Sequence, residues 1–251
     1  MTKKEYDKKK HQMSLSLKHT SVYQQPLAAL PNTKLLINTI NAHSYNLAQN
    51  DTAFAEALKQ SDILLPDGVS IVWAKKLLNG IKIKKIAGAD LFAYEMDRLA
   101  KTNGKCFFLG SSVSTLAKIT ARAAKEFPTV NIATYSPPFK SKFSETDNQQ
   151  MLEAINTFNP DVLFVGMTAP KQEKWAATHF NRINAQHIGC IGAVFDFYAG
   201  TVKRAPAWMI KLGLEWLYRF LLEPQRLWKR YLLGNIKFVV LIGKEKMNSS
   251  T

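Results

Sequence analysis

The sequence predicts an α/β protein: a mostly parallel sheet with helices on both faces, plus a C-terminal helical basic amphipathic appendage. Between Lys34 and Phe197, short runs of Val, Ile, Leu and Phe alternate with stretches of helical character. Strands that alternate with helices in this way pair in parallel and bury both faces. One full unit is visible in Val162–Trp175, VLFVGMTAPKQEKW. It opens as a buried strand, breaks at Gly166, where the chain can turn tightly or let a ligand approach the backbone, and reaches Pro170, a residue suited to the first turn of a helix. From Ala205 onward the chain becomes helical, aromatic and cationic at once.

Taken in order, Met1 to about Gln25 is polar, lysine-rich and without apolar periodicity, which reads as a flexible basic arm. The ordered body is expected from Pro26. Lys34–Ile40 is a strand, and Asn41 caps a helix reaching Leu58. Asp62–Leu65 is a short strand ending at Pro66-Asp67-Gly68, with a helix over Val69–Leu78. Gly88 opens a helix to Thr102. Lys105–Leu109 is a strand that enters Gly110-Ser111-Ser112 and a helix to Phe127. Val130–Tyr135 is a strand, and Ser144 caps a helix to Phe158. After the Val162 unit, Gln186–Phe197 holds one more strand. In the tail, Trp208, Leu212, Trp216 and Phe220 fall at four-residue spacing and are expected on one helix face, with Pro224 breaking the run. The divisions are therefore 1–25, an arm; 26–202, the α/β domain; and 203–251, the appendage.

The net charge of +15 is concentrated at the ends. Residues 1–19 carry +4 and residues 203–246 carry +7, so the middle resembles an ordinary domain. Basic terminal segments point to an anionic partner: phospholipid, nucleic acid or a phosphorylated substrate. Cys106 and Cys190 lie in apolar runs and read as buried thiols, which favours a cytosolic setting. No zinc spacing occurs, and no D-x-D pair. No signal peptide and no apolar run of about 18 residues is present, so nothing in the sequence spans a membrane.

The candidate functional residues cluster where strands end. Asp67 stands in a Pro-Asp-Gly turn after a short strand, either a plain turn residue or a general base whose pKa partial burial would raise. Thr39 and Asn41 leave the neighbouring strand at the same edge, to bind a sugar or base or to cap a helix. Gly110-Ser111-Ser112 could hold a phosphate through backbone N–H groups and hydroxyls, although neither G-x-G-x-x-G nor a P-loop lysine motif is present. Asp196 either faces a ligand or caps a turn. Arg219, Arg226, Lys229 and Arg230 form either a diphosphate clamp or a solvated helix face. The appendage is either a core-packed helical pair or, with Trp, Tyr and cations together, a basic amphipathic unit suited to the plane of a bilayer surface.

These stretches resemble the WecG/TagA/CpsF glycosyltransferases, glycosyltransferase family 26. The matching segments are INTINAH, ILLPDGVSIVWAKK, IAGADL, FFLGSS, VLFVGMTAPKQEKW, IGAVFDFYAGTVKRAP and GLEWLYRFLLEPQRLWKRY, from about Lys34 to Tyr231. The resemblance implies a Rossmann-like core with an appendage that completes the active site and engages the membrane. It implies inverting transfer of a sugar, N-acetylmannosamine or its uronic acid in the best-known cases, without metal or other cofactor. The implied partners are a UDP-sugar donor, a lipid-linked sugar acceptor on undecaprenyl diphosphate and an anionic membrane surface, at the inner face of the cell membrane. Residue by residue, the catalytic aspartate falls on Asp67 and the substrate contacts on Thr39, Asn41 and Gln172. The appendage arginines fall on Arg219, Arg226 and the Lys229-Arg230 pair. The arginine common before G-A-D is Lys85 here, which keeps the charge and loses the bidentate fork. A nucleic-acid-binding α/β protein is the alternative; with the basic residues at the ends and no nucleic-acid motif, no nucleic acid is expected as a partner. A homo-oligomer is left open.

Overall fold

A computed structural model of the protein describes residues 15–248; residues 1–14 of the expected arm and residues 249–251 lie outside it. Six strands form one all-parallel sheet: β1 (Leu35–Ile40), β2 (Ile63–Pro66), β3 (Lys105–Gly110), β4 (Asn131–Tyr135), β5 (Val162–Gly166) and β6 (His187–Cys190), in the order β2-β1-β6-β5-β3-β4. Helices α1 (Ala42–Ala48), α2 (Thr52–Lys59), α3 (Val69–Asn79), α4 (Gly88–Thr102), α5 (Val113–Glu126), α6 (Glu145–Phe158), α7 (Lys171–His179) and α8 (Val194–Tyr198) connect or follow them.

Alternation along each strand divides the core. Ile37, Leu65, Phe108 and Phe164 face α4, α5 and α8 through Phe92, Met96, Ile119 and Phe195. Leu36, Phe107, Leu163 and Ile188 face α6 and α7 through Met151, Ile155 and Trp175. Both faces are covered, as a parallel sheet requires. The chain leaves β3 for β4 on one side and β5 for β6 on the other, so a topological switch point lies between β3 and β5. The register brings Thr39 opposite Leu65 and Ile40 opposite Pro66. The Asp67 N–H continues the ladder onto the Ile40 carbonyl at 2.8 Å. Asn41 and Asp67 thus leave adjacent strands at one level.

Several expected elements change in detail. The helix after Asn41 is two helices, because Asp51 caps the second through the Phe54 N–H at 3.0 Å. The last strand stops at Cys190, and Phe195-Asp196-Phe197 is helical, after Gly192 turns the chain at φ 49°. The appendage is segmented: α9 (Ala207–Lys211), α10 (Glu215–Leu222), α11 (Pro224–Trp228), a π-helical turn (Lys229–Leu233) and α12 (Gly234–Met247). Gly213, at φ 75°, separates Trp208 and Leu212 from Trp216 and Phe220, so the four do not share one helix. Pro224 does start a new helix.

Residues 15–25, expected within the arm, belong to the body. Leu15, Leu17 and Val22 are buried with Tyr45, Phe54, Ile71, Phe238 and Ile242. The segment straps α12 down. Glu245 Oε1 accepts from Ser16 Oγ (2.6 Å) and the Lys18 N–H (2.7 Å), and Oε2 accepts from Tyr45 Oη (2.7 Å). The buried Lys75 ammonium donates to the Leu17 and Thr20 carbonyls. Hydrogen bonds to a charged group contribute about 1.5–3 kcal/mol each, though not additively. Glu245→Ala is therefore expected to lower unfolding stability by about 2–3 kcal/mol in a denaturant titration; a loss under about 0.5 kcal/mol would show that the strap contributes little.

Candidate active site

The carboxyl ends of β1 and β2 carry a charged rim. Asp67 is half-buried there. Burial pushes its carboxyl up to about 6, with Lys85 and Arg230 pulling it down and Glu215 and Asp90 pushing it up. Lys85 reaches this point because the strand-like stretch before α4 runs beside β2, the Ile86 N–H donating to the Pro66 carbonyl at 3.0 Å. Asn41 caps α1 through the His43 and Ser44 N–H groups, both 3.0 Å, and the Ser44 hydroxyl returns to the Asn41 N–H. Its Oδ1 is committed to that cap, while its Cβ lies near Gly68, the residue after Asp67. Thr39 is half-buried one residue before the end of β1.

The appendage closes the other side. Arg230, on the π-helical turn, acts on Asp67, on His43, on Arg219 and on Arg226. Burial and then Arg230 hold His43 down to about 4, a neutral imidazole at pH 7. Arg219 lies 5.2 Å from the Phe197 ring. Burial raises the Asp196 carboxyl, with Thr201, Arg219 and Arg226 opposing and Glu223 adding to the rise. Arg226 Nε pairs with Glu223 at 2.5 Å. Two guanidinium donors, Arg219 Nε and Arg230 Nε, are buried without a hydrogen-bond partner among the described residues. Buried donors are rarely left so.

Other expected site residues lie elsewhere. Gln172 is buried and turned inward: its Oε1 accepts from the Met167 N–H (3.3 Å), its Nε2 donates to Glu173 Oε1 (2.8 Å), and Gly192 lies against its amide. It braces the β5–α7 turn. Gly110 and Ser111 sit at the β3/β5 switch point, at φ 117° and 58°. A Cβ on Gly110 would come within 2.5 Å of the Gly166 carbonyl oxygen, and one on Gly166 within 2.4 Å of the Phe195 ring. Close packing within the protein therefore accounts for both glycines. Lys229 is exposed, its ammonium 5.5 Å from the Trp228 ring.

Three groups that act at the rim were not found in the sequence: His43, Glu215 and Asp90. His43 stands two residues after Asn41 in the INTINAH segment, so its spacing was a usable signal. Glu215 acts on Asp67 only through tertiary folding of the appendage.

Buried Glu173 adds a stability test. Burial pushes its carboxyl up to about 7, against a hydrogen bond from Gln172, and its Oε2 has no partner among the described residues. A folded pKa above the unfolded one means the native state holds the proton more tightly. Stability is then lost as pH rises from about 4.5 to about 7. Glu173→Gln is expected to remove that dependence and to be more stable than the parent at pH 8 by on the order of 2 kcal/mol. A less stable variant at pH 8 would contradict the assignment.

A parallel α/β sheet with a carboxylate at its carboxyl edge, within electrostatic reach of cations from an appended helical segment, is a Rossmann-like arrangement of the kind that ligand-binding enzymes use. The chain belongs to the glycosyl transferase WecG/TagA/CpsF family, whose model matches residues 14–251, and is a glycosyltransferase. It is 33% identical over 217 residues to the N-acetylglucosaminyldiphosphoundecaprenol N-acetyl-beta-D-mannosaminyltransferase of Bacillus subtilis (strain 168), covering 86% of this chain and 82% of that protein. The Bacillus spizizenii protein of the same name is 30% identical over 219 residues, covering 87% and 82%. The Staphylococcus aureus (strain NCTC 8325 / PS 47) protein, again so named, is 30% identical over 217 residues, covering 84% and 81%.

Proposed function

We propose that the protein is an inverting, metal-independent glycosyltransferase that moves an N-acetylmannosamine-type sugar from its UDP donor to a sugar on undecaprenyl diphosphate, in cell-surface polysaccharide synthesis. The names of the relatives support the donor and acceptor chemistry. The observation that carries the reading is the trio Arg219, Arg226 and Arg230, with two buried Nε donors that find no hydrogen-bond partner among the described residues. Such a cluster is unfavourable alone and matched to a diphosphate, which guanidinium forks bind bidentately.

In this mechanism Asp67 takes the proton from the acceptor hydroxyl as its oxygen attacks the anomeric carbon. The C–O bond to UDP breaks on the opposite face, which inverts the centre, and the arginines neutralise the departing diphosphate. Lys85 and Arg230 keep Asp67 ionised against burial. Thr39 and Asn41 are placed to contact the sugar from the carboxyl end of β1, and Asp196 attracts Arg219 and Arg226 toward one another. Gln172 serves through the turn it braces, and Gly110 and Ser111 line the crevice at the β3/β5 switch point, farther along the same sheet edge, for the nucleotide. Lys229 adds charge facing an anionic membrane surface, with the protein peripheral on its inner face. Among the described residues no helix is long and apolar enough to cross a membrane.

The test is a panel of UDP-sugars with a short-chain polyprenyl-diphosphate N-acetylglucosamine, in EDTA, scored by product mass. UDP-N-acetylmannosamine is expected to give a product one N-acetylhexosamine heavier, with a β linkage if the donor is α. Transfer from no UDP-sugar, or only after adding a divalent metal, would contradict the proposal.

A further inference from the structure

We propose that the outward face of α3 is a second membrane-contact surface, fitted to an anionic phospholipid bilayer and built on the α/β domain rather than the appendage. Helix α3 buries Ile71, Ala74 and Leu78. On its other side Val69 (46% exposed), Trp73 (48%) and Leu77 (38%) form a ridge at four-residue spacing, extended past the helix by Ile81 (38%). The ridge continues onto the appendage. Gly213 lies so close that a Cβ there would come within 2.5 Å of Val69 Cγ1, and the preceding Leu212 (66%) and Trp208 (60%) are exposed. A contiguous apolar surface of this kind marks a contact site.

Charge selects the occupant. Residues 68–89 contain five lysines and no acid. Lys75 is turned inward onto the Leu17 and Thr20 carbonyls. Lys76, three residues after Trp73 on the same helix, is exposed, as are Lys82 and Lys84 in the segment that follows. A second copy of this chain seated here would bring lysine against lysine. An anionic leaflet accepts both the apolar ridge and its cationic border, with Trp73 and Trp208 suited to the interface. Because α3 begins two residues after Asp67, this contact holds the rim carboxylate at the lipid surface. That consequence rests on the acceptor chemistry proposed above.

The test uses Trp73→Cys. The chain's own cysteines, Cys106 and Cys190, are buried, so the new thiol can be labelled selectively with an environment-sensitive fluorophore. With vesicles of about one-third phosphatidylglycerol in phosphatidylcholine, the label's emission is expected to shift to the blue and brighten, and with phosphatidylcholine alone to stay unchanged. In the full chain, Trp73→Glu with Leu77→Glu is expected to lower the vesicle-bound fraction about fivefold or more, leaving turnover on the water-soluble short-chain acceptor unchanged. A label that stays solvent-like while the protein floats with vesicles would overturn the proposal. So would a blue shift that depends on protein concentration without lipid, which would put a second copy on the ridge. Loss of short-chain turnover in a folded double variant would place the ridge in the reaction instead. Failure of the parent protein to turn over the short-chain acceptor at all would count against the transferase reading and leave the label result intact.

Discussion

Asp67→Asn is expected to lower kcat by about 10²–10⁴, the usual range for a lost general base, with KM for the UDP-sugar little changed. The substitution keeps the shape of the turn and its Ile40 hydrogen bond, which uses the backbone N–H. It also separates a catalytic role from a structural one. The folded carboxyl titrates near 6, above its ordinary value of 3.8, so the native state binds its proton more tightly than the unfolded chain. Stability is lost as pH rises through about 4 to 6, and the ionised aspartate at neutral pH is a cost to the fold. The variant should be as stable as the parent at pH 7.5 or more so, by up to about 3 kcal/mol. A slow enzyme with an unchanged or raised Tm fits the account. Near-normal turnover would remove Asp67 from the chemistry.

Arg230→Ala should lower kcat by about 10²–10³, the effect typical of losing one preorganised donor to a developing anion. It should also move the acid limb of the pH–rate profile upward. Arg230 is one of two cations that pull the Asp67 carboxyl down, the other being Lys85, while burial, Glu215 and Asp90 push it up. Without the guanidinium the carboxylate holds its proton to higher pH. Arg230→Lys should restore much of the limb position and less of the rate, since the charge returns without the fork. An alanine variant with a reduced rate and an unmoved limb would mean that Arg230 serves the leaving group from a position that does not sense Asp67.

Much of this architecture was legible because local chemistry fixes it. VLFVG reads as a buried strand by composition. Ser144 and Asn41 read as caps, and each makes the reciprocal hydrogen bonds of a capping box. Where the reading failed, the cause lies at long range or in an ambiguous run. GAVFDF is as apolar as a strand, and periodicity cannot separate a short buried strand from a short buried helix; the turn at Gly192 decides it. Leu15, Leu17 and Val22 sit among lysines, and the Phe238 and Ile242 that bury them lie more than 200 residues away. The site shows the same division. Asp67, Lys85 and Arg230 were singled out from motif positions, and the fold sets them within reach of one another electrostatically. Gln172 has its amide turned into the protein, and Glu215 enters only when the appendage folds over the rim.

The most direct measurement is the pH dependence of kcat/KM for the parent and for Asp67→Asn, on the short-chain acceptor in EDTA. If Asp67 at the sheet edge is the base, the parent profile falls about tenfold per pH unit below about 6 and the residual rate of the variant is flat across that window. An acid limb that persists unchanged in the variant would contradict the account.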